Sequence, residues 1–537
     1  MFRRITLHTS NNKGMALVAT LIMTLVLSTI AIAMLSMTTS DIKLSSLQEA
    51  SKETFNIAEA GIERAIAYLE DLGNPDYQTP VQLFMDDNGG SPIMGEGNYT
   101  VEIYSNTPLS YIVKSTGEKY LNPSQKVRVR IESEVMLDNF AMFAYFSDNE
   151  LFPTSIDSSY GSNQEIWFQG GDTIEGKLHS NDRLNMAGSP TFHGPVTSAY
   201  RNPATGDTSW KAYDNQTRPN FLGSPGYKGG VDIIELPTYR KITEPDDPKS
   251  LQRIAAGSKD FIDKHLTTGI HIPITYDKVT DGILIKGDVQ ELVFGTHSAS
   301  GSSEITIKQQ NKTTIIYTID NSITLKGKNY GEGTLVHDLS SDSYTHYPGS
   351  SSKINGVIFV NGEIKSLKAT SNDGGVKGKY TIASNYDINI TGDILYNTRV
   401  TNGEDSFRVD DGYPDIPDSL GLVTEKNIKI PKNTPSGSKV PNNIEINAIM
   451  MALGTSFYFE GFKTDLKDTL KVYGSFIQKQ RGPVGTFSAS SRTGYTKDYH
   501  FDNRMNINNP KFGEVLPPYF PTTGKYIKLW WREGELD

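Results

Sequence analysis

Apolar positions along this chain fall into three regimes. Over residues 15–37 they form an unbroken run, MALVATLIMTLVLSTIAIAMLSM, with no charge before Asp41. Such a run is long enough to cross a bilayer as a helix, which needs roughly 20 residues at 1.5 Å each. Beyond it the apolar residues space out to Leu44, Leu47, Phe55, Ala58, Ile62, Ala65, Ile66 and Leu69, a helical period. Glu49, Lys52, Glu53, Glu59, Glu63 and Arg64 fill the intervals. Gly73, Asn74 and Pro75 end the pattern, because glycine suits a helix C-terminus and proline cannot continue one. The first two regimes predict one helix from Met15 to Leu72, on the order of 85 Å long. Its first half would lie in lipid or a fibre core, its second half on a domain.

The third regime is alternation. GEGNYTVEIYS, YIVKSTGEK and QKVRVRIESEV carry Tyr99, Val101, Ile103 and Val127, Val129, Ile131 at every second position, the spacing of strands joined by turns. Aromatic-rich strands and polar turns follow over 139–233. Short β runs at Thr173 and Ile174, Lys177 and Leu178, and Arg183 and Leu184 alternate there with Gly-Asp, Glu-Gly and Ser-Asn-Asp turns, as stacked rungs require. Residues 207–230 are polar and rich in proline and glycine, and read as an extended loop. SLQRIAAGSKDFIDKHL is the one helical stretch foreseen after residue 75. In the last third, β-branched runs recur in pairs across Asn, Gly or Asp turns, with faces set by residues such as Ile388, Ile390 and Ile394. This is the pattern of a β-solenoid, with a β-sandwich as the alternative. The expected fold is mainly β with one long N-terminal helix: a small α+β unit, then a right-handed β-solenoid. The expected divisions are a leader over 1–14, a membrane segment over 15–37, an amphipathic helix with its sheet over 38–137, a β-rich region with a loop insertion over 138–320, a solenoid over 321–480 and a cap over 481–537.

Ahead of the apolar run lies a basic leader, MFRRITLHTSNNKG. No small-residue cleavage site follows the run, as one would after a secretory signal. The well-placed signal is Lys13 and Gly14, and cleavage after Gly14 would make Met15 the mature N-terminus. The leader ending in Gly14, the apolar helix with Leu17, Leu21 and Leu25 on it, the segment FNIAEAGIERAIAYL and the strands after it resemble the N-terminus of PilX-type minor pilins and of the GspK-type pseudopilin of type II secretion. The likeness covers residues 1–136. It implies lateral packing of these helices in a fibre, after storage in the inner membrane and export of the bulk of the chain to the periplasm. The partners it implies are other pilins or pseudopilins, a prepilin peptidase and an inner-membrane assembly platform. Major pilins carry glutamate at the fifth mature position; here that position is Ala19, followed by Thr20. A lone carboxylate in lipid costs about 2.5–3.5 kcal/mol and is kept for a partner. Its absence, with a length of 537 residues, fits a rare or tip subunit better than a shaft subunit. The later motifs GDTIEGKLHSND and GSFIQKQRGPVGTF also resemble a large uncharacterised domain found behind such N-termini.

Composition narrows the remaining options. The formal charge is −10, and loss of Arg3, Arg4 and Lys13 with the leader makes it −13. That argues against a general nucleic-acid groove. There is no cysteine, so an exported chain of this kind is held by packing and sheet hydrogen bonds alone.

Candidate chemistry is sparse. His179, Asp182 and His193, with Asp172, offer metal-ligand atoms, but hydrogen bonding within turns suits their spacing better. Asp410, Asp411, Asp415 and Asp418 miss the spacing of a calcium loop. Arg481, Arg504, Asp498 and Asp502 are the residues from which a polysaccharide-cleaving site would have to be built. No G-x-S-x-G, H-E-x-x-H or Walker loop is present, so neither an enzyme nor a cofactor is expected. The aromatic, proline-rich stretch after Arg481 reads as a cap on an open sheet edge. Its sharper reading is a contact surface anchored by Tyr495, Tyr499, Trp530 and Trp531. The expectation is thus a minor pilin-like subunit that primes a type IV pilus or pseudopilus or displays its β domain at the cell surface. The alternatives are a membrane-anchored solenoid that binds surface polysaccharide and, less favoured, a polysaccharide-active enzyme.

Overall fold

A computed structural model describes residues 13–72, 79–83, 93–94, 97–107, 109–159, 164–238, 241–275, 278–279, 281–298, 301–310, 312–319, 322–326, 334–335, 344–346, 354–403, 415–487, 492–507, 509 and 511–534. The expected helix-ending residues Gly73, Asn74 and Pro75 and most of the leader lie outside them. The protein is mainly β with one long helix, in two units: Met1–Leu137 with Tyr526–Asp537, and Asp138–Lys525.

In the first unit the helix runs unbroken over Lys13–Leu72, 60 residues. Every residue from 15 to 49 is exposed, Leu44 and Leu47 included, so packing starts at Ala50 rather than where the amphipathic pattern begins. From there Ala58, Ile62, Ala65 and Leu69 bury against Val101, Ile103, Val113, Ile131 and Val135 of an antiparallel sheet. Its strands lie in the order Val81–Leu83, Gly97–Thr107, Ser110–Asn122, Gln125–Asn139 and Thr522–Gly534. Small residues let the helix lie close. A Cβ on Gly61 would stand 2.1 Å from the Ser115 hydroxyl, and one on Gly117 2.5 Å from the Thr54 carbonyl.

The last strand corrects the expected cap. From Tyr526 onward the chain belongs to the first unit, where Tyr526 joins the core beside Tyr111 at 5.8 Å. The strand covers an edge of Gln125–Asn139 that would otherwise present unpaired backbone groups.

The second unit is organised by parallel ladders. One runs through Ile283–Lys286, Val357–Asn361, Lys379–Ser384, Ser419–Thr424, Ile444–Ala452 and Leu466–Gln480. It then continues onto Phe143–Asn149, Lys177–Ser180, Val196–Ser198 and Tyr227–Gly229. A second ladder stacks Glu291–Thr296, Ile364–Ala369, Ile388–Ile394, Ile428–Ile430 and Phe457–Phe459. The boundary expected near residue 320 is therefore absent, since segments from both sides of it share one ladder. The expected loop over 207–230 is also corrected. Its Asn220–Phe221 and Tyr227–Gly229 are further parallel strands, paired with Thr191–Phe192 and Val196–Ser198. Antiparallel pairing enters over Glu291–Lys326, and the foreseen helical stretch forms Leu251–Ala256 and Lys259–Lys264.

In-register stacking makes columns of side chains. Leu284, Phe359, Ala383, Val423, Met451, Ile477, Phe146 and His179 form one, buried throughout. The neighbouring column carries Ser384, Thr424, Ser147, Ser180 and Ser198. In four of these the hydroxyl accepts from the amide two residues on, at Tyr386, Lys426, Asp182 and Tyr200. A repeated hydroxyl turn thus folds the chain out of each strand.

The helix–sheet spacing gives the first prediction. Gly61→Val should destabilise the full-length protein by about 1–3 kcal/mol through overpacking. Chemical denaturation followed by circular dichroism measures it, and an unchanged midpoint would remove the close approach as a structural requirement.

Candidate functional site

Two features outside the ordinary packing carry functional content. The first is the exposed half of the helix. Over Met15–Leu72 it is long and apolar enough to cross a membrane, with a mean hydropathy of 2.4 in its most apolar window, and is compatible with an anchor or a signal sequence. Met15, Leu17, Leu21 and Leu25 are 61–71% exposed, and Ala19 and Thr20 are exposed beside them. Four of the hydroxyl side chains in this stretch are satisfied within the helix. Thr20, Thr24, Ser28 and Thr29 donate their hydroxyls to the carbonyls of Leu17, Leu21, Leu25 and Val26 at 2.8–2.9 Å. The helix therefore presents no unpaired hydroxyl donor from them to an apolar surrounding. Of the processing residues, Lys13 and Gly14 form the start of the helix, directly ahead of Met15.

The second feature is a polar cluster in the second unit, where Leu466–Gln480 joins Phe143–Asn149. Glu150, fully buried, follows the latter strand; it accepts from the Tyr145 hydroxyl at 3.0 Å and from Ser147. Arg481, 5% exposed, follows the former strand and donates to Glu150 at 3.2 Å. The guanidinium lies 3.7 Å from the Phe168 ring centre, which helps compensate its lost hydration. Burial opposes its charge, but Tyr145, Glu150 and Asp172 outweigh that and raise its pKa further. Lys497, on Arg492–His500, pairs with Asp172 at 3.3 Å. Burial lowers the Lys497 pKa against the pull of Asp172. Burial likewise pushes the Asp172 carboxyl up, but Lys497, the Gln169 amide and Arg481 prevail and hold it below the usual range.

Between these groups lies a cavity of about 40 Å³ that opens to solvent, lined by Tyr145, Phe168, Phe476, Gln478, Arg481, Lys497 and Tyr499 among others. That is room for a few waters. Beside it His500 stacks on Tyr473 at 4.8 Å and bridges Glu175 at 3.4 Å and Asp498 at 2.8 Å. The hydrogen bond to Glu175, against burial, raises the imidazole pKa above its ordinary value.

The sequence candidates are redistributed. His179 is buried, with Nδ1 on the Thr197 hydroxyl at 2.8 Å and Nε2 on Asn181 at 2.9 Å, and burial lowers its pKa to about 4. Both ring nitrogens being engaged, it is a core residue and is corrected as a metal candidate. Asp182 accepts from the amides of Glu150 and Arg183, and His193 is exposed. Among the described residues no three His, Asp or Glu side chains gather as a metal site. Asp410 and Asp411 lie outside the described residues. Asp418 binds the amides of Gly378 and Thr398, and Asp415 pairs with Lys511. Arg504 is fully buried on Asp502 and the carbonyls of Ile416 and Asp418, with Arg481 held elsewhere by Glu150. Tyr495 is corrected as a surface anchor: it is buried, its hydroxyl donating to the Pro441 carbonyl at 2.6 Å. Tyr499 lines the cavity. Trp530 and Trp531 are exposed on the last strand, against Glu134 and Phe55 respectively. Sequence reasoning missed Glu150, Tyr145, Lys497 and His500. Glu150 meets Arg481 across 331 residues, a separation no local pattern announces.

One family, described as a domain of unknown function (DUF4900), matches residues 106–200. That stretch takes in strands of both units, and Tyr145, Glu150 and Asp172 fall within it. No curated protein and no solved structure matches the chain.

Two predictions follow from the cluster's geometry. Arg481→Met strands the Glu150 carboxylate in the interior and should cost about 3–5 kcal/mol, most of it regained in the double variant with Glu150→Gln. Urea unfolding of the three proteins tests this; equal single and double losses would refute it. A histidine whose folded pKa is raised stabilises fully below the unfolded value and loses that contribution as pH rises through the folded one. The stability advantage of the wild type over His500→Gln should therefore shrink by about 0.5–1 kcal/mol between pH 6 and pH 8.5. A pH-independent difference would show that His500 contributes only stacking.

Proposed function

We propose that the protein is a minor pilin-like subunit of a type IV pilus or type II secretion pseudopilus. It would prime assembly, or carry a large β domain on the fibre. The observation that carries this reading is the division of one unbroken helix, Lys13–Leu72, into an exposed apolar half and a half clamped on an antiparallel sheet. An anchor needs only the first half. A fibre subunit needs both in one rigid rod, so that lateral packing of the apolar halves fixes where each attached domain stands.

In this reading the inner membrane stores the helix before assembly, with the exported bulk in the periplasm. Other pilins or pseudopilins then replace lipid around residues 15–37. Ala19 and Thr20 leave no carboxylate for a neighbour's N-terminal amine, which favours a rare or terminal position. The parallel ladders are read as coils of a right-handed β-solenoid, the exported cargo. A second reading, a membrane-anchored β domain that never enters a fibre, rests on the same apolar segment and differs in its processing.

Processing is therefore the test. Mass spectrometry of the membrane-extracted protein should find Met15 as the first residue, and Gly14→Leu should leave the leader attached and abolish incorporation into fibres. An intact leader on the wild-type protein would exclude the pilin reading and leave the plain anchor.

A further inference from the structure

We propose that the cavity lined by Gln478 and Tyr499 is a binding site for the acetamido group of an N-acetylated amino sugar. Both cations on its wall are paired, Arg481 with Glu150 at 3.2 Å and Lys497 with Asp172 at 3.3 Å, so the wall is electrically balanced. A neutral ligand keeps that balance, whereas an ion of either sign would meet a like charge. Hydrogen-bonding capacity is not balanced in the same way. Gln478 is 4% exposed, and its carbonyl oxygen accepts from the Phe457 and Gly482 amides at 3.2 and 3.3 Å. Two amide donors on one side fix the orientation of this side chain and turn its NH₂ group the other way. Among the described residues nothing accepts from that group. Tyr499 lines the cavity too, and its hydroxyl has no partner among the described residues; burial raises its pKa and keeps it a donor at neutral pH. Asp172 is engaged by Lys497 and the Gln169 amide through Oδ2, which leaves Oδ1 as an acceptor. The cavity thus offers donors, a carboxylate acceptor and no net charge.

A secondary amide is the complement of such a surface: its C=O accepts, its N–H donates and it carries no charge. The walls select the acetyl form. Phe168, Ile174, Phe457, Phe476 and Val484 give the space an apolar side that a methyl group covers and a hydroxyl does not. Phe457 and Phe476 lie 5.1 Å apart, Phe476 and Tyr499 4.6 Å apart, and the space of about 40 Å³ beside them takes a terminal group rather than a chain passing through. What adjoins the cavity sets the body of the ligand. A second cavity of about 10 Å³ shares Tyr145, Ile174, Phe476 and Tyr499 and continues to Glu175 and His500. Half-buried polar groups beside an aromatic face suit the hydroxyls and the C–H face of a pyranose ring. A neutral hexose lacks the acetyl group, and an acetylated lysine lacks the ring hydroxyls. The site is independent of how the helix is used, so it stands or falls apart from the pilin reading.

The experiment is a calorimetric titration of the full-length protein in detergent with N-acetyl-D-glucosamine, D-glucose and Nε-acetyl-lysine, joined by saturation-transfer NMR. N-acetylglucosamine should bind at least about tenfold more tightly than glucose, a factor of ten matching about one net hydrogen bond. It should exceed acetyl-lysine about threefold or more, the margin left to the ring hydroxyls. Saturation should pass most strongly to the acetyl methyl. Tyr499→Phe, which removes one oxygen and no packing surface, should weaken binding about three- to tenfold. Gln478→Met should weaken it about tenfold or more, with thermal melts run on both variants to verify folding. If Gln478→Met fails to fold, Tyr499→Phe alone decides. Equal affinity for glucose and N-acetylglucosamine, no binding of the latter by either method, or affinity unchanged in folded variants each overturns the assignment. Acetyl-lysine binding as tightly would give the cavity to an acetylated peptide and overturn the sugar.

Discussion

The structure of the second unit depends on one joint, the parallel pairing of Leu466–Gln480 with Phe143–Asn149. Every other step of the main ladder between Ile283 and Gln480 follows the order of the chain, and so does every step from Phe143 to Gly229. This one reverses it: the last strand of one series receives the first strand of the other. Its register, Phe476 opposite Tyr145 and Ile477 opposite Phe146, carries the apolar column across the joint without a break. Glu150 and Arg481, each just past one of the paired strands, form the buried ion pair there. A buried pair adds little net stability over apolar packing, but a mismatched partner leaves an uncompensated charge that costs several kcal/mol. The pair therefore acts chiefly on specificity, penalising any other strand that might dock in this position.

This joint also explains which parts of the molecule were legible in sequence. Rung chemistry was readable locally, because a β-branched run and a hydroxyl or Asn turn advertise themselves within ten residues. The helix was readable for the same reason, its apolar run and its 3.6-residue spacing being continuous. Which rung stacks on which was not readable, since Glu150 and Arg481 come from distant segments that each look like ordinary strand ends. The same holds for Thr522–Gly534. KYIKLWWREG alternates as a strand should, yet nothing in it says that Tyr526 returns to the first sheet rather than closing the second unit. His179 was legible only in part. Its neighbours Asp182 and His193 pointed to hydrogen bonding within turns rather than to a ligand set, while its place in a column of Phe146 and Ile477 makes it a core residue.

The cavity arises at the joint for a geometric reason. Parallel rungs close over one another where successive strands match in length, but Leu466–Gln480 is 15 residues long and Phe143–Asn149 seven. The overhang of the longer strand is met along the same edge by Arg492–His500, and Thr173–Ile174 lies on a neighbouring short strand. Side chains from several segments line the space left over, and many are large: five aromatics, Arg481 and Lys497. Long charged side chains reach into such a gap with their apolar stems packed and their heads at its rim. A site of this kind follows from mismatch in the stack, so it belongs to the joint and not to the repeating rungs.

The hydroxyl column shows how the rest of the stack holds its register. A slip of one residue in any strand exchanges the faces of all its side chains. A slip of two keeps the faces, and apolar burial alone would scarcely distinguish it, since Ile, Leu, Val and Met recur at both positions. Buried hydroxyls do distinguish it. Ser384 donates to the Gly362 carbonyl at 2.8 Å, Ser147 and Ser180 are hydrogen-bonded through their hydroxyls at 2.9 Å, and Ser198 donates to the Asp182 carbonyl at 2.8 Å. Moved by two residues, each would sit among apolar side chains without its turn, at a cost of about 1–3 kcal/mol apiece. Repeated along the ladder, this cost separates registers that apolar burial leaves nearly equivalent. Hydrophobic burial drives these segments to stack, and the polar atoms inside the stack decide how.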